Sequence, residues 1–336
     1  MVSTPGGYRF GGVGRWILII LAVLIGSTLL STLVLLQCAP DTPRPSGSAP
    51  LPVDADTTGA VQAEMRNVAY HIDSDIVLHI RYLRGQLLPT SRTRPPVFED
   101  GASYTMAIEA AEIFVDTSDL AGLINRYVFG YRGAPIHELH LSVDGEDLVQ
   151  KGKLGNLSFT IRSRPSLTPE GEIRLHPVDV KVLGINADGL MRHLGIQLDE
   201  MLKVQPDRGI RVVENDFLLD VTAILPPPRI RGTLSAIRLV SGGMVQRFGP
   251  IDSVGPRSVL GDSTPARNFM YYLGGIIRFG KLTMTGTDML IVDADQSDPF
   301  GFYLGRYHEQ LVAGDHRTTP VDGLIVRMPD LGDLKP

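Results

Sequence analysis

The sequence predicts an α+β protein: an N-terminal transmembrane helix, then a strand-rich domain with a few short helices. Three observations carry this. Residues 16–36 are almost wholly apolar and uncharged. Past the linker after this run, most apolar residues recur with period two, as on a half-buried strand. In three stretches, 116–128, 188–201 and 298–311, the spacing changes to steps of three and four behind an aspartate, as on a short amphipathic helix.

Composition narrows the class. The 336-residue chain is 43% hydrophobic and 21% charged, a globular balance. A net charge of −5 argues against a general nucleic-acid surface. Arginine outnumbers lysine; its planar fork suits phosphate and carboxylate groups, but the arginines are scattered. The single cysteine, Cys38, allows neither an intramolecular disulfide nor a cysteine-based metal site.

The apolar run justifies the anchor. At about 1.5 Å per residue it spans roughly 30 Å, the thickness of a bilayer core. Trp16 sits at its entry, where an amphipathic ring prefers the interface. Arg9 and Arg15 precede it, while Asp41, Arg44, Asp54 and Asp56 come after it. The positive-inside rule then makes 1–15 cytoplasmic, 16–38 a single pass through the cytoplasmic membrane, and the rest extracytoplasmic. A cleavable signal peptide has a shorter apolar core and a small-residue exit. A lipoprotein cysteine follows a small residue, whereas Gln37 precedes Cys38. Residues 39–60, rich in Pro, Ser, Gly and Asp, read as a flexible linker.

Strands are expected over 74–84 and 104–115, with a proline-bearing loop over 90–101 between them. Asp116 then caps a helix whose apolar face is Leu120, Leu123, Ile124, Tyr127 and Val128. Period two returns with Leu139, Leu141 and Val143, and strands continue over 147–153, 157–164 and 172–182, with 165–171 as a turn. In the last of these the apolar parity changes beside Pro177, which predicts a bulge. Asp188 caps a second helix with Leu190, Leu194, Leu198 and Met201 on one stripe. Further strands are expected over 210–213, 216–225, 230–240, 276–285, 289–293 and 324–328. A third helix is expected from Asp298, with Pro299 at its first position, Phe300, Tyr303, Leu304, Tyr307 and Leu311 on its stripe, and Gly314 closing it.

The order strand, Val115–Asn125 helix, Leu139–Lys153, Leu157–Val182, helix Gly189–Leu202, then Leu-Pro-Pro-Pro-Arg-Ile-Arg-Gly-Thr-Leu-Ser-Ala-Ile-Arg-Leu at 225–239, resembles the bacterial extracytoplasmic relatives of the tubular lipid-binding (TULIP-like) superfamily. The likeness covers roughly residues 105–250 and rests on apolar spacing. It implies a long, curved antiparallel sheet wrapping one or two helices around a greasy groove. Residues 61–250 are then the curved-sheet domain, and 251–336 a C-terminal α/β extension packing on it. The implied function is non-enzymatic binding of a lipid or lipid-linked molecule, with Leu120, Leu123, Ile124, Tyr127, Leu190, Leu194 and Leu198 lining the groove. The alternative is a structural or assembly protein of the cell envelope with no small-molecule ligand.

Other motifs read more simply. Gly275 to Lys281 has the outline of a phosphate loop, but Leu282 stands where Ser or Thr is needed, and the interior favours a strand. His137, Glu138 and His140 have the wrong spacing for a zinc helix. Asp293, Asp295, Ser297 and Asp298 outline a calcium loop without its glycine or closing Glu; Asp298 as a helix cap is the simpler reading. No nucleophile elbow joins His308, Asp315 and His316. Arg229, Arg231, Arg247 and Arg257 could meet a head group, though solvated arginines are the simpler reading. The expected partners are therefore the bilayer, through 16–38, and a lipid, with no nucleic acid, no metal and no cofactor.

Overall fold

A computed structural model describes residues 59–182, 185–186, 204–205, 208–250, 266–320 and 322–334. The expected span 16–38, most of the linker, and the expected helix with Leu190, Leu194 and Leu198 lie outside the described residues. Among the described residues, no helix is long and apolar enough to cross a membrane.

Strand dominates, as the period-two pattern predicts. The first hairpin pairs β1 (Val61–Asp73) with β2 (Ile76–Pro89), and β3 (Tyr104–Asp116) continues the ladder. Asp116 then caps α1 (Thr117–Leu123), accepting from the Ser118 N–H at 2.8 Å. The next turn, Ile124–Val128, is a π-turn, closed by a 2.9 Å bond from the Phe129 N–H to the Ile124 carbonyl. Five strands come next: β4 (Ile136–Asp144), β5 (Asp147–Leu154), β6 (Leu157–Leu167), β7 (Ile173–Val182) and β8 (Ile185–Asn186). After them come β9 (Ile210–Val213), β10 (Asp216–Leu219), the single turn α2 (Val221–Ile224), β11 (Arg229–Arg231), β12 (Leu234–Val240) and β13 (Gly243–Phe248). The C-terminal part holds β14 (Phe269–Phe279), β15 (Leu282–Asp293), β16 (Phe300–Tyr303), α3 (Tyr307–Ala313), β17 (Asp315–Thr318) and β18 (Leu324–Met328).

These form two sheets. The larger has 11 strands, in the order β12-β13-β3-β2-β1-β14-β15-β18-β17, with β11 joined to β3 and β16 to β1. The smaller has 7 strands, β4-β5-β6-β7-β10-β9, with β8 on β7. Residues past 266 thus extend the sheet begun by residues 61–116. The sheets are not wholly antiparallel: β16 on β1, β11 on β3 and β18 on β15 run parallel.

Register shifts reshape the inward face of the larger sheet. Between Ile80 and Tyr82 the β2–β3 register shifts, and opposite it Asn67 has φ 49°. Inward residues of β1 accordingly change from Ala63 and Met65 to Val68. A second shift leaves Glu109 unpaired in β3, so that Met106 and Ile108 share a face with Ala111 and Ile113. An extra residue in one strand bends it and strengthens its twist.

Several expectations are corrected. The apolar pattern does not predict β1. The 216–225 strand stops at Leu219, because Asp220 caps α2 with a 2.9 Å bond from the Thr222 N–H. The 230–240 strand is two strands, β11 and β12, and the 276–285 strand straddles a hairpin. That hairpin turns at Gly280, whose φ of 58° suits glycine. β6 runs through Pro165, and the turn comes later, at Thr168. Asp298 caps no helix. Phe300 and Phe302 are fully buried on β16, beside β1, and helix begins only at Tyr307. The bulge expected near Pro177 is present: Arg162 faces Asp179 and Ser163 faces Pro177, leaving Val178 extra.

Candidate binding cavity

The inward faces of β1, β2 and β3 do not close on a filled core. Between them, α1 and the α2–Pro228 segment lies a cavity of about 150 Å³. Met65 and Tyr70 of β1, Leu78, Ile80, Leu83 and Leu87 of β2, and Met106, Ile108, Ile113 and Val115 of β3 supply its floor. Leu120 and Leu123 of α1 form one wall. The opposite wall is Val221, Ile224 and the stiff run Leu225 to Pro228, continued by Ile230. None of the lining residues is Lys, Arg, Asp or Glu. The space opens to the surface on one side, and its mostly apolar lining favours an apolar guest of small size.

Of the residues expected to line a groove, Leu120 and Leu123 line this one. Ile124 and Tyr127 do not. The π-turn widens the helix after Leu123 and carries them off its stripe. Ile124 is buried in the core, and the Tyr127 hydroxyl lies 3.5 Å from Asp73. Most of the lining escapes sequence reasoning, because β1 has no clean alternation and 226–228 reads as a connection. The signal available is the run Leu225-Pro-Pro-Pro, rigid and apolar beside a strand.

Polar groups in the cavity are few and uncharged. The Tyr104 hydroxyl donates to the Phe98 carbonyl at 3.3 Å. Burial raises the Tyr70, Tyr104 and Tyr272 hydroxyls well above the ordinary tyrosine range, so all three stay protonated. Burial, and then the nearby His79, lower the His71 imidazole. Its Nδ1 is buried with no hydrogen-bond partner among the described residues.

Charge is kept outside. Arg229 and Arg231 are exposed on either side of cavity-lining Ile230. Arg247 is bound to Glu112 at 2.8 Å, and Arg81 reaches the same carboxylate at 2.9 Å. Burial alone raises the Glu112 carboxyl, but these two guanidinium groups outweigh it and hold it below the usual range. Arg257 lies outside the described residues. A polar hollow elsewhere is lined by Glu64, Arg84 and Glu109, whose charges are already paired as Arg66–Glu64 at 3.0 Å and Arg84–Glu109 at 3.1 Å.

The remaining motifs have structural roles. Gly275 to Phe279 belongs to β14. His137 and His140 are exposed on β4, and Glu138 pairs with Lys153 at 2.7 Å. Asp293 accepts from the Asn268 amide at 2.9 Å and from the Asp295 N–H at 2.9 Å, closing its own loop. Among the described residues no three His, Cys, Asp or Glu side chains could hold a metal ion. The chain matches no established protein family, no curated protein and no solved structure.

Proposed function

We propose that this chain binds the hydrocarbon part of a lipid or lipid-linked molecule, without catalysis, at the outer face of the membrane that its N-terminal segment spans. One observation carries the proposal: a cavity between sheet and helix whose lining has no Lys, Arg, Asp or Glu. Each methylene moved there from water contributes about 0.8 kcal/mol, so a chain segment binds without directional contacts. The bulges at Asn67, Arg81 and Glu109 bend the strands that form the floor, as a groove of the tubular lipid-binding kind requires. A charged head group would remain at the rim, where Arg229 and Arg231 flank Ile230.

The alternative, an envelope assembly protein using a sheet edge, has less behind it. Edge strand β17 is Asp-His-Arg-Thr, every residue exposed, and such a charged edge discourages strand addition.

Native mass spectrometry of the full chain, released from detergent and followed by lipid extraction, tests the proposal. A retained amphiphile that disappears when the cavity is filled is the expected result. Chains that are empty in every preparation, and stay empty after exposure to fatty acids or isoprenoid lipids, overturn it.

A further inference from the structure

Two connections meet at one end of the larger sheet. The loop from β2 to β3 reaches the β14–β15 hairpin: the Phe98 N–H donates to the Arg278 carbonyl at 2.8 Å, and the Arg278 N–H donates to the Pro96 carbonyl at 2.8 Å. The Glu99 carboxylate accepts from the Gly280 N–H at 3.3 Å, at the hairpin turn. These bonds hold four cations on neighbouring tips. Arg92 and Arg94 precede Pro96 in the loop, and Arg278 and Lys281 stand at the turn. All four are exposed, and none forms an ion pair among the described residues. Strand arginines of the same sheet are arranged otherwise: Arg66, Arg81 and Arg84 are paired with Glu64, Glu112 and Glu109 at 3.0, 2.9 and 3.1 Å. The acids on these tips are Glu99 and Asp100. Both are engaged with backbone, Glu99 with Gly280 and Asp100 with the Ala102 N–H at 3.1 Å. Next to Lys281 stands Leu282, 48% exposed. Cations in excess around an exposed leucine favour a surface that is anionic outside and apolar beneath. Phe98 of the same loop lines the cavity, which ties this end to the proposed lipid site.

We propose that this end of the domain docks on an anionic phospholipid surface, with Arg92, Arg94, Arg278 and Lys281 among the phosphate groups and Leu282 at the acyl boundary. The proposal rests on the reading of the chain as a lipid binder at a membrane, and adds which face of the domain meets the bilayer. Each basic residue near an anionic leaflet strengthens binding about five-fold, and salt screens that attraction. Nucleic acid also carries phosphate, but it offers Leu282 no apolar layer to enter.

The test uses the full chain with Cys38→Ser and Thr283→Cys, the thiol at 283 carrying a fluorophore; Thr283 is exposed and adjoins Leu282. Chains are reconstituted in vesicles of phosphatidylcholine alone or mixed with phosphatidylglycerol, each doped with nitroxide-bearing phosphatidylcholine. Quenching by the nitroxide reports contact between the hairpin tip and the bilayer. Strong quenching is expected in the mixed vesicles and weak quenching in phosphatidylcholine alone, with the difference lost at high salt. Arg278→Gln with Lys281→Gln is expected to weaken docking on the mixed vesicles roughly 30-fold. Arg92→Gln with Arg94→Gln acts in the same direction and serves alone if the first pair does not fold. Quenching that is equal in both vesicles, absent from both, or unchanged by these substitutions overturns the proposal. Lipid extraction of the same samples keeps the two readings apart: retained lipid without docking spares the cavity reading, and docking without retained lipid spares this one.

Discussion

Asn125 and Leu139 exchange two hydrogen bonds: the Asn125 amide donates to the Leu139 carbonyl at 2.8 Å, and the Leu139 N–H donates to the Asn125 side-chain oxygen at 3.0 Å. The register of β4 on β5 shifts between His137 and His140, and Glu138 has φ 54°, so Leu139 has lost its ladder partner. The side chain after α1 replaces that strand and fastens the cavity wall to the smaller sheet. Asn125→Leu removes both bonds and leaves a buried N–H and C=O unmatched, at a cost of about 2–4 kcal/mol. Urea unfolding measures it; a loss below about 0.5 kcal/mol contradicts this role.

Filling the cavity should separate stability from binding. Val115 lines it and is 2% exposed. Val115→Phe is expected to raise the melting temperature by a few degrees, since filling an internal void commonly adds about 0.5–2 kcal/mol. The same variant should lose retained lipid in extraction. A Val115→Phe chain that unfolds earlier and keeps its lipid would show the space to be unsuited to the larger ring.

Asp330 ties the C-terminal segment to β16 by accepting from the Gly301 N–H at 2.6 Å. Burial pushes its carboxyl up to about 6; the Gly301 bond opposes this, and Asp293 and Asp298 add to the rise. The folded state therefore holds this proton more tightly than the unfolded state does. Stability from this group falls as pH rises from about 4 to about 6 and stays lower above that. Asp330→Asn keeps an acceptor for Gly301 and removes the charge. It should stabilise by about 1–3 kcal/mol at pH 8 and have little effect near pH 3.5, measured by denaturation at both values.

His71 works in the opposite sense. Its folded-state affinity for a proton is lowered, first by burial and then by His79. Its contribution to stability is present above about pH 6.5, the unfolded value, and is lost as pH falls through the lower folded value. His71→Phe should flatten the decline in melting temperature between pH 7 and pH 5. An unchanged slope would remove His71 from the acid response.

Local rules make part of the fold legible. Asp116, with Leu120 and Leu123 behind it, specifies α1 through a cap and a stripe that need no tertiary information. The bulge near Pro177 is visible as a change of parity. β1 is hidden because two things break its alternation: the parity change at Asn67, and Glu64, which is 1% exposed and bonded to Arg66 at 3.0 Å. Phe300, Tyr303, Leu304, Tyr307 and Leu311 have helical spacing, yet Phe300–Tyr303 is a strand. Pairing with β1 and burial of two phenylalanines outweigh a local pattern that α3 satisfies only from Tyr307 onward. β17, with every residue exposed, has no apolar pattern to read. The cavity is legible only through Leu120 and Leu123. An empty space between strands distant in sequence depends on bulges, which composition does not announce.

β1 lies between β2 and β14 and also carries β16, so the first described strand is an interior strand of the large sheet. A pull on the chain ahead of Val61 loads the ladders to β2 and β14 lengthwise, with many backbone bonds resisting together, where an edge strand would peel away one bond at a time.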